Sequence, residues 1–223
     1  MNLDKTKKSA APTSDVKKTG TGFALSNNGY FVTAYHVLYD ENGYGDSVYI
    51  QSSDGQYYKA SLVTFDAYAD VAIMKVDKAG FRFGKGDLPY SFSQSKAGLG
   101  TRIFTLGYPT DDIAYGEGYI SSRNGFDGNR MQYTLELPAG HGQSGSPMVD
   151  ASGNVLGLLT AVGAETEEKT YAISTKAITA LMHKLPDEKN IKLPKAARIN
   201  HMSREQQISK MEAYTFAVKV YKK

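Results

Sequence analysis

Along most of this chain, short apolar segments alternate with turn residues. Gly22–Ser26 is one candidate strand, and Asn27-Asn28-Gly29 after it is a hairpin turn signal. Tyr30–Thr33, Ser47–Gln51, Tyr57–Phe65 and the nearly continuous apolar run Val71–Val76 follow. After a Gly/Pro/Ser-rich stretch over about 84–100, further strands are expected at Arg102–Leu106, Ala114–Ser122, Met131–Leu137, Val155–Val162 and Lys169–Ser174. Many short strands at this spacing imply a sandwich or barrel. From Ser174, Ile178, Leu181, Met182 and Leu185 recur at helical spacing until Pro186 stops the pattern, which predicts a helix over 174–185. Ser203-Arg-Glu-Gln206 resembles a capping box opening a second short helix. Phe216, Val218 and Val220 alternate on one side of Tyr214–Tyr221, as in a strand.

This pattern divides the chain into a polar leader (1–19), a body over 20–186 and a C-terminal extension (187–223). Within the body, one barrel is expected over about 20–90 and a second over about 91–174. The extension is expected to add a strand to a barrel, cover a cleft or reach toward a partner.

Composition removes whole classes of chemistry. With 223 residues the chain is long enough to bury a real core, and it has no cysteine. Disulfides, thiolate metal sites and a cysteine nucleophile are therefore excluded. A formal net charge of +3 with lysines spread along the chain argues against a nucleic-acid partner. No apolar run approaches the roughly 20 residues of a membrane span, and the first 20 residues hold no hydrophobic signal core.

Three segments carry the candidate chemistry. Phe31-Val-Thr-Ala-Tyr-His36-Val runs a strand into a small-residue turn that presents a histidine. Tyr68-Ala-Asp70-Val-Ala-Ile-Met sets one acid at the mouth of a buried strand, with Asp66 as the alternative acid. Gly142-Gln-Ser144-Gly-Ser-Pro147 flanks a serine with glycines. A serine hydroxyl needs a base within hydrogen-bond reach, histidine titrates in the right range, and an acid holds the imidazole tautomer. The Gly142 and Ser144 N–H groups would converge as an oxyanion hole. Each segment alone is more often structural, since a Gly-x-Ser-Gly turn is usually only a turn. Together, the order His–Asp–Ser differs from that of α/β-hydrolases and subtilisins. It puts His36 and Asp70 in the first half and Ser144 in the second, where a cleft between two barrels would join them.

Taken as a set, these motifs resemble the chymotrypsin-like (trypsin-like) serine protease clan, especially bacterial HtrA/Deg proteases and glutamyl endopeptidases. Thr33-Ala-Tyr-His36-Val, Asp70-Val-Ala-Ile and Gly142-Gln-Ser-Gly-Ser-Pro147 resemble the motifs around that clan's histidine, aspartate and serine. Thr105-Leu-Gly-Tyr-Pro109, Met131-Gln-Tyr133, Val155-Leu-Gly-Leu-Leu-Thr-Ala161 and Tyr171-Ala-Ile-Ser174 extend the likeness over about 20–186. The resemblance implies an all-β fold of two six-stranded antiparallel barrels with a C-terminal helix; with only 37 residues after Pro186, no PDZ-like domain is expected to follow. It also implies a serine endopeptidase working through an acyl-enzyme without a cofactor or metal. Ala139, His141, Leu159, Thr160 and Ala161 would line the substrate pocket, with Thr160 able to bond Asp70. Leu159 stands where glutamyl endopeptidases carry a histidine, and Pro138 where trypsin-like enzymes carry an aspartate. An apolar residue just before the cleaved bond is the resulting expectation.

The expected partner is a protein or peptide substrate, and the expected state a monomer. Export to the cell surface or beyond is expected, the signal or anchor being absent from this chain, with a cytoplasmic location kept open. Two rivals remain: a silent protease-like module that binds peptides without cutting them, and an esterase using the same residues.

Overall fold

The computed structural model describes residues 11–40, 43–162, 169–186 and 188–222. Its strands are β1 (Val16–Ala24), β2 (Tyr30–Ala34), β3 (Tyr39–Asp40), β4 (Gly43–Tyr44), β5 (Ser47–Gln51), β6 (Tyr57–Asp66), β7 (Val71–Val76), β8 (Ser91–Phe92), β9 (Arg102–Gly107), β10 (Ala114–Ser122), β11 (Gln132–Glu136), β12 (Pro147–Asp150), β13 (Asn154–Val162), β14 (Thr170–Ser174) and β15 (Thr215–Tyr221). The α-helices are α1 (Tyr35–Leu38), α2 (Thr175–Met182) and α3 (Arg204–Met211).

Two six-stranded antiparallel barrels result, so the expected all-β architecture holds. The first closes in the order β1-β15-β5-β6-β7-β2. The second runs β12-β9-β10-β11-β14-β13 and closes through β12–β13 pairing, with β8 added in parallel to β13. Closure removes the unpaired edges that would invite aggregation.

Three boundaries differ from the sequence pattern for physical reasons. β1 starts at Val16, inside the stretch read as a leader, because β15 pairs with it from Val16↔Tyr221 to Phe23↔Thr215. The first barrel is not confined to 20–90: its sixth strand is the end of the chain, which pairs with β5 on its other side. Residues 1–10 of the expected leader lie outside the described residues. β12 has no alternation to announce it. It is four residues long and opens on Pro147, at the first-residue position where a strand tolerates proline. Helix α2 ends at Met182, three residues before the expected stop. Leu185 N–H bonds back to Met182 C=O as the chain turns ahead of Pro186. The capping box at Ser203 forms in full, with Ser203 and Gln206 each accepting the other's N–H.

Phe216 shows why β15 belongs to the core. Its ring stacks on Phe83 at 4.9 Å and meets Phe31 edge-on at 5.1 Å, and all three side chains are buried. One apolar cluster spans the first barrel, the seam and α2. A second fills the second barrel around Tyr133, Leu135, Met148 and Leu156. The Ser144 loop lies where the barrels meet.

Candidate active site

His36 is carried on α1, one turn of helix where β2 ends. Asp70 sits between β6 and β7, and the β2–β7 pairing ends at Ala34↔Val71, which brings the two together. Asp70 adopts a left-handed backbone, φ 54°, a region that few non-glycine residues occupy and that aspartate enters more readily than most. Asp70 C=O accepts Tyr35 N–H at 3.2 Å, and its carboxylate accepts the His36 peptide N–H at 2.8 Å. The other carboxylate oxygen lies 2.8 Å from His36 Nδ1. A carboxylate only accepts, so Nδ1–H is the donor in this bond. Thr160 Oγ1, from β13 of the second barrel, donates to the same Asp70 oxygen. Asp66 instead accepts the N–H groups of Tyr68 and Ala69, at 3.1 and 3.0 Å, and forms the turn that delivers Asp70.

Ser144 stands at the apex of a tight loop. Gly142 has φ 81°, and a Cβ there would lie 2.3 Å from Tyr108 O. Gly145 has φ 90°, and a Cβ would lie 2.0 Å from Thr21 O. Both glycines are dictated by backbone conformation and by close approach. Gly145 N–H donates to Leu159 C=O and Leu159 N–H to Ser146 C=O, which fastens the loop to β13. Among the described residues the N–H groups of Gly142 and Ser144 have no acceptor. His36, Gly142 and Ser144 line one cavity of about 330 Å³ together with Lys17 and Thr19 of β1 and His141. No hydrogen bond joins Ser144 Oγ to His36 among the described residues; such contacts tighten when substrate engages.

The residues expected in the pocket separate. His141 is exposed on the rim of the shared cavity. Leu159 is 1% exposed inside the second barrel, with Ala139 packed against the same cluster. Thr160 turns to Asp70. Ala161 lies on β13, but its side chain falls outside the described residues. A larger cavity, about 640 Å³, involves Asn27, Arg82 and Lys192 and none of the trio. No cluster of three or more His, Asp or Glu is placed to hold a metal among the described residues.

Two residues at the site escaped the sequence reading. Thr21 is fully buried and bonds to both Gly142 and Ser144. Lys18 Nζ donates to His36 C=O at 2.9 Å and Tyr39 C=O at 3.1 Å, capping α1. The signal for Thr21 was present in its flanking Gly20 and Gly22, which leave room for close approach of another backbone.

Two antiparallel barrels with a His–Asp–Ser trio at their seam define the chymotrypsin-like fold class. The chain belongs to the family described as the trypsin-like peptidase domain, whose model matches residues 20–158. It is 26% identical over 182 residues to the serine endoprotease DegS of Salmonella typhimurium and of Escherichia coli K12, covering 77% of this chain and 49% of theirs. A probable periplasmic serine endoprotease, DegP-like, of Brucella suis is 29% identical over 150 residues, covering 64% of this chain and 27% of its own. The chain thus spans about half or less of the length of these relatives. Among solved structures, an inactive-form mutant of Rv3671c from M. tuberculosis H37Rv shares the fold. The TM-score is 0.57 at 23% identity, over 75% of this chain and 82% of that one.

Proposed function

We propose that the protein is a serine endopeptidase whose catalytic triad is His36, Asp70 and Ser144. The observation that carries this reading is the double hold of Asp70 on His36, through the peptide N–H and Nδ1, at the wall of the cavity that also contains Ser144.

In the reaction, Ser144 Oγ attacks the peptide carbonyl while His36 Nε2 takes its proton. The imidazolium is stabilised by Asp70, whose own charge is held in place by Thr160. The Gly142 and Ser144 N–H groups, which have no other acceptor among the described residues, receive the oxyanion. His36 then protonates the leaving amine, and water hydrolyses the acyl-enzyme by the same steps in reverse order.

The apolar Pro138 stands where a trypsin-like enzyme would carry a charged selector, while Leu159 is buried in the second-barrel core and Ala139 packs against it. This supports an apolar residue before the cleaved bond. A net charge of only +3 supports a protein or peptide partner over nucleic acid. The DegP-like relative is named as periplasmic, which supports an exported location. Among the described residues no helix is long and apolar enough to cross a membrane.

Fluorophosphonate labelling tests the reading. The parent chain is expected to be labelled, and Ser144→Ala and His36→Ala are not. An unlabelled, well-folded parent would reject it in favour of a module that binds peptides without cutting. Comparing peptide with simple ester turnover separates the esterase rival.

A further inference from the structure

Thr21 lies on β1 of the first barrel, yet its hydroxyl and its peptide N–H are both spent across the seam. Its hydroxyl donates to Gly142 C=O at 2.8 Å and accepts Tyr108 N–H at 2.9 Å. Its peptide N–H donates to Ser144 C=O at 2.8 Å, and its C=O accepts Thr33 Oγ1 at 2.7 Å. The side chain is wholly buried. The flanking glycines make this approach feasible. A Cβ on Gly20 would lie 2.6 Å from Val37 and 3.1 Å from Ser144 O, and one on Gly22 would press on Phe216 and Val218 at 3.0 Å.

We infer that Thr21 is the positioning residue of the oxyanion loop, fixing from the first barrel the two N–H groups that the second barrel presents. The inference rests on the reading of Ser144 as nucleophile. The loop has an internal brace as well, since Gln143 Oε1 accepts Gly140 N–H at 2.8 Å. That brace shapes the turn but does not place it. Gly145 and Ser146 fasten the loop to β13, and its placement against the first barrel comes from Thr21, which holds Gly142 and Ser144 on either side of Gln143. The same hydroxyl holds Tyr108, against whose carbonyl Gly142 is packed. One hydroxyl therefore registers the loop and the wall behind it. Without it, Gly142 C=O and Tyr108 N–H are buried with no partner, and the peptides around Gly142 turn to find others. Turning one N–H out of an oxyanion hole typically costs a factor of about 10²–10³ in kcat.

The test compares Thr21→Val, which keeps the shape and removes the hydroxyl, with Thr21→Ser, which keeps the hydroxyl. Thr175→Val is the control, a buried hydroxyl at the start of α2 bonded to Ser93 C=O. Peptide kcat and KM are measured together with inhibition by a peptide aldehyde, whose adduct places an oxyanion in the hole. Thr21→Val is expected to lose about 100-fold in kcat with KM within threefold, and aldehyde affinity falls in parallel. Thr21→Ser stays within about fivefold of the parent and Thr175→Val near it. If Thr21→Val does not fold at the assay temperature, Thr21→Ala is read in its place, with a loss of at least about tenfold. A folded Thr21→Val with parental kcat overturns the inference, as does Thr21→Ser falling as far as Thr21→Val. An inactive, unlabelled parent instead overturns the assignment of Ser144, and this inference falls with it.

Discussion

The two barrels have the same strand number but are assembled from different parts of the chain. The second is local: all six of its ring strands lie between Arg102 and Ser174. The first draws on both ends, because β15 is inserted between β1 and β5. Residues 16–76 supply only β1, β2, β5, β6 and β7 to it, a twisted sheet with two open edges. Since His36 and Asp70 belong to this barrel, half of the proposed site depends on a strand about 150 residues further along the chain. Such non-local closure is slow, because the loop entropy is spent before the pairing compensates it.

Breaking the comparison at its largest point means deleting Thr215–Tyr221. This strand buries Phe216, Val218, Val220 and Tyr221, each worth about 1.5–3 kcal/mol, and pairs two edges. The total rivals the roughly 5–15 kcal/mol stability of a whole domain. Thermal unfolding followed by circular dichroism is expected to lose its cooperative transition. A truncated chain that melts like the parent would show that the first barrel closes without it.

Next in size is Asp70→Asn, which leaves the first barrel intact and spoils the imidazole tautomer. A loss of about 10⁴ in kcat is expected from steady-state kinetics. A loss below tenfold would assign the acid elsewhere.

Phe216→Ala should destabilise by about 3–5 kcal/mol in urea titration, through the cavity left beside Phe31 and Phe83. Leu135→Ala in the second barrel should cost about 2–5 kcal/mol by the same mechanism. A near-neutral Phe216→Ala would remove β15 from the core.

The smallest effect is alkaline. Burial pushes the Tyr108 hydroxyl up to about 12, helped by the charge of Glu212, and burial holds Tyr90 well above its usual value. Burial alone would lower the Lys219 ammonium, but its bonds to Asp111 at 2.6 Å and Tyr57 at 3.2 Å outweigh that and raise it. Tyr90 donates to Ala24 on β1 and Tyr108 to Thr215 on β15, so these groups report on the first barrel. All three hold their protons more tightly folded than unfolded. Their contribution is complete below about pH 10 and is lost as pH rises through the folded values, at up to about 1.4 kcal/mol per pH unit per group. Urea midpoints should be level from pH 8 to 9.5 and fall by pH 11. A level profile to pH 11 would contradict this.

The same contrast explains what could be read from the sequence. In the second barrel, strands such as Ala114–Ser122 were legible to the residue because alternation and turns are local signals. The alternation of Phe216, Val218 and Val220 announced a strand but not its neighbours, since pairing across the whole chain leaves no local mark. The His36, Asp70 and Ser144 segments were legible because each needs a particular short motif. For Thr21 the flanking Gly20 and Gly22 signalled a close approach but not its partner, since its bonds run to another barrel. A pocket is harder to read along a strand: Leu159 and Thr160 are adjacent on β13 and so face opposite ways, one into the core and one toward Asp70.

The most direct test of the central claim is incubation of an unfolded protein substrate with the parent chain and with Ser144→Ala, with the fragments read by mass spectrometry. Internal cleavages made by the parent and absent with Ser144→Ala are the predicted result. No cleavage by the folded parent, or the same cleavages by both chains, would contradict the account.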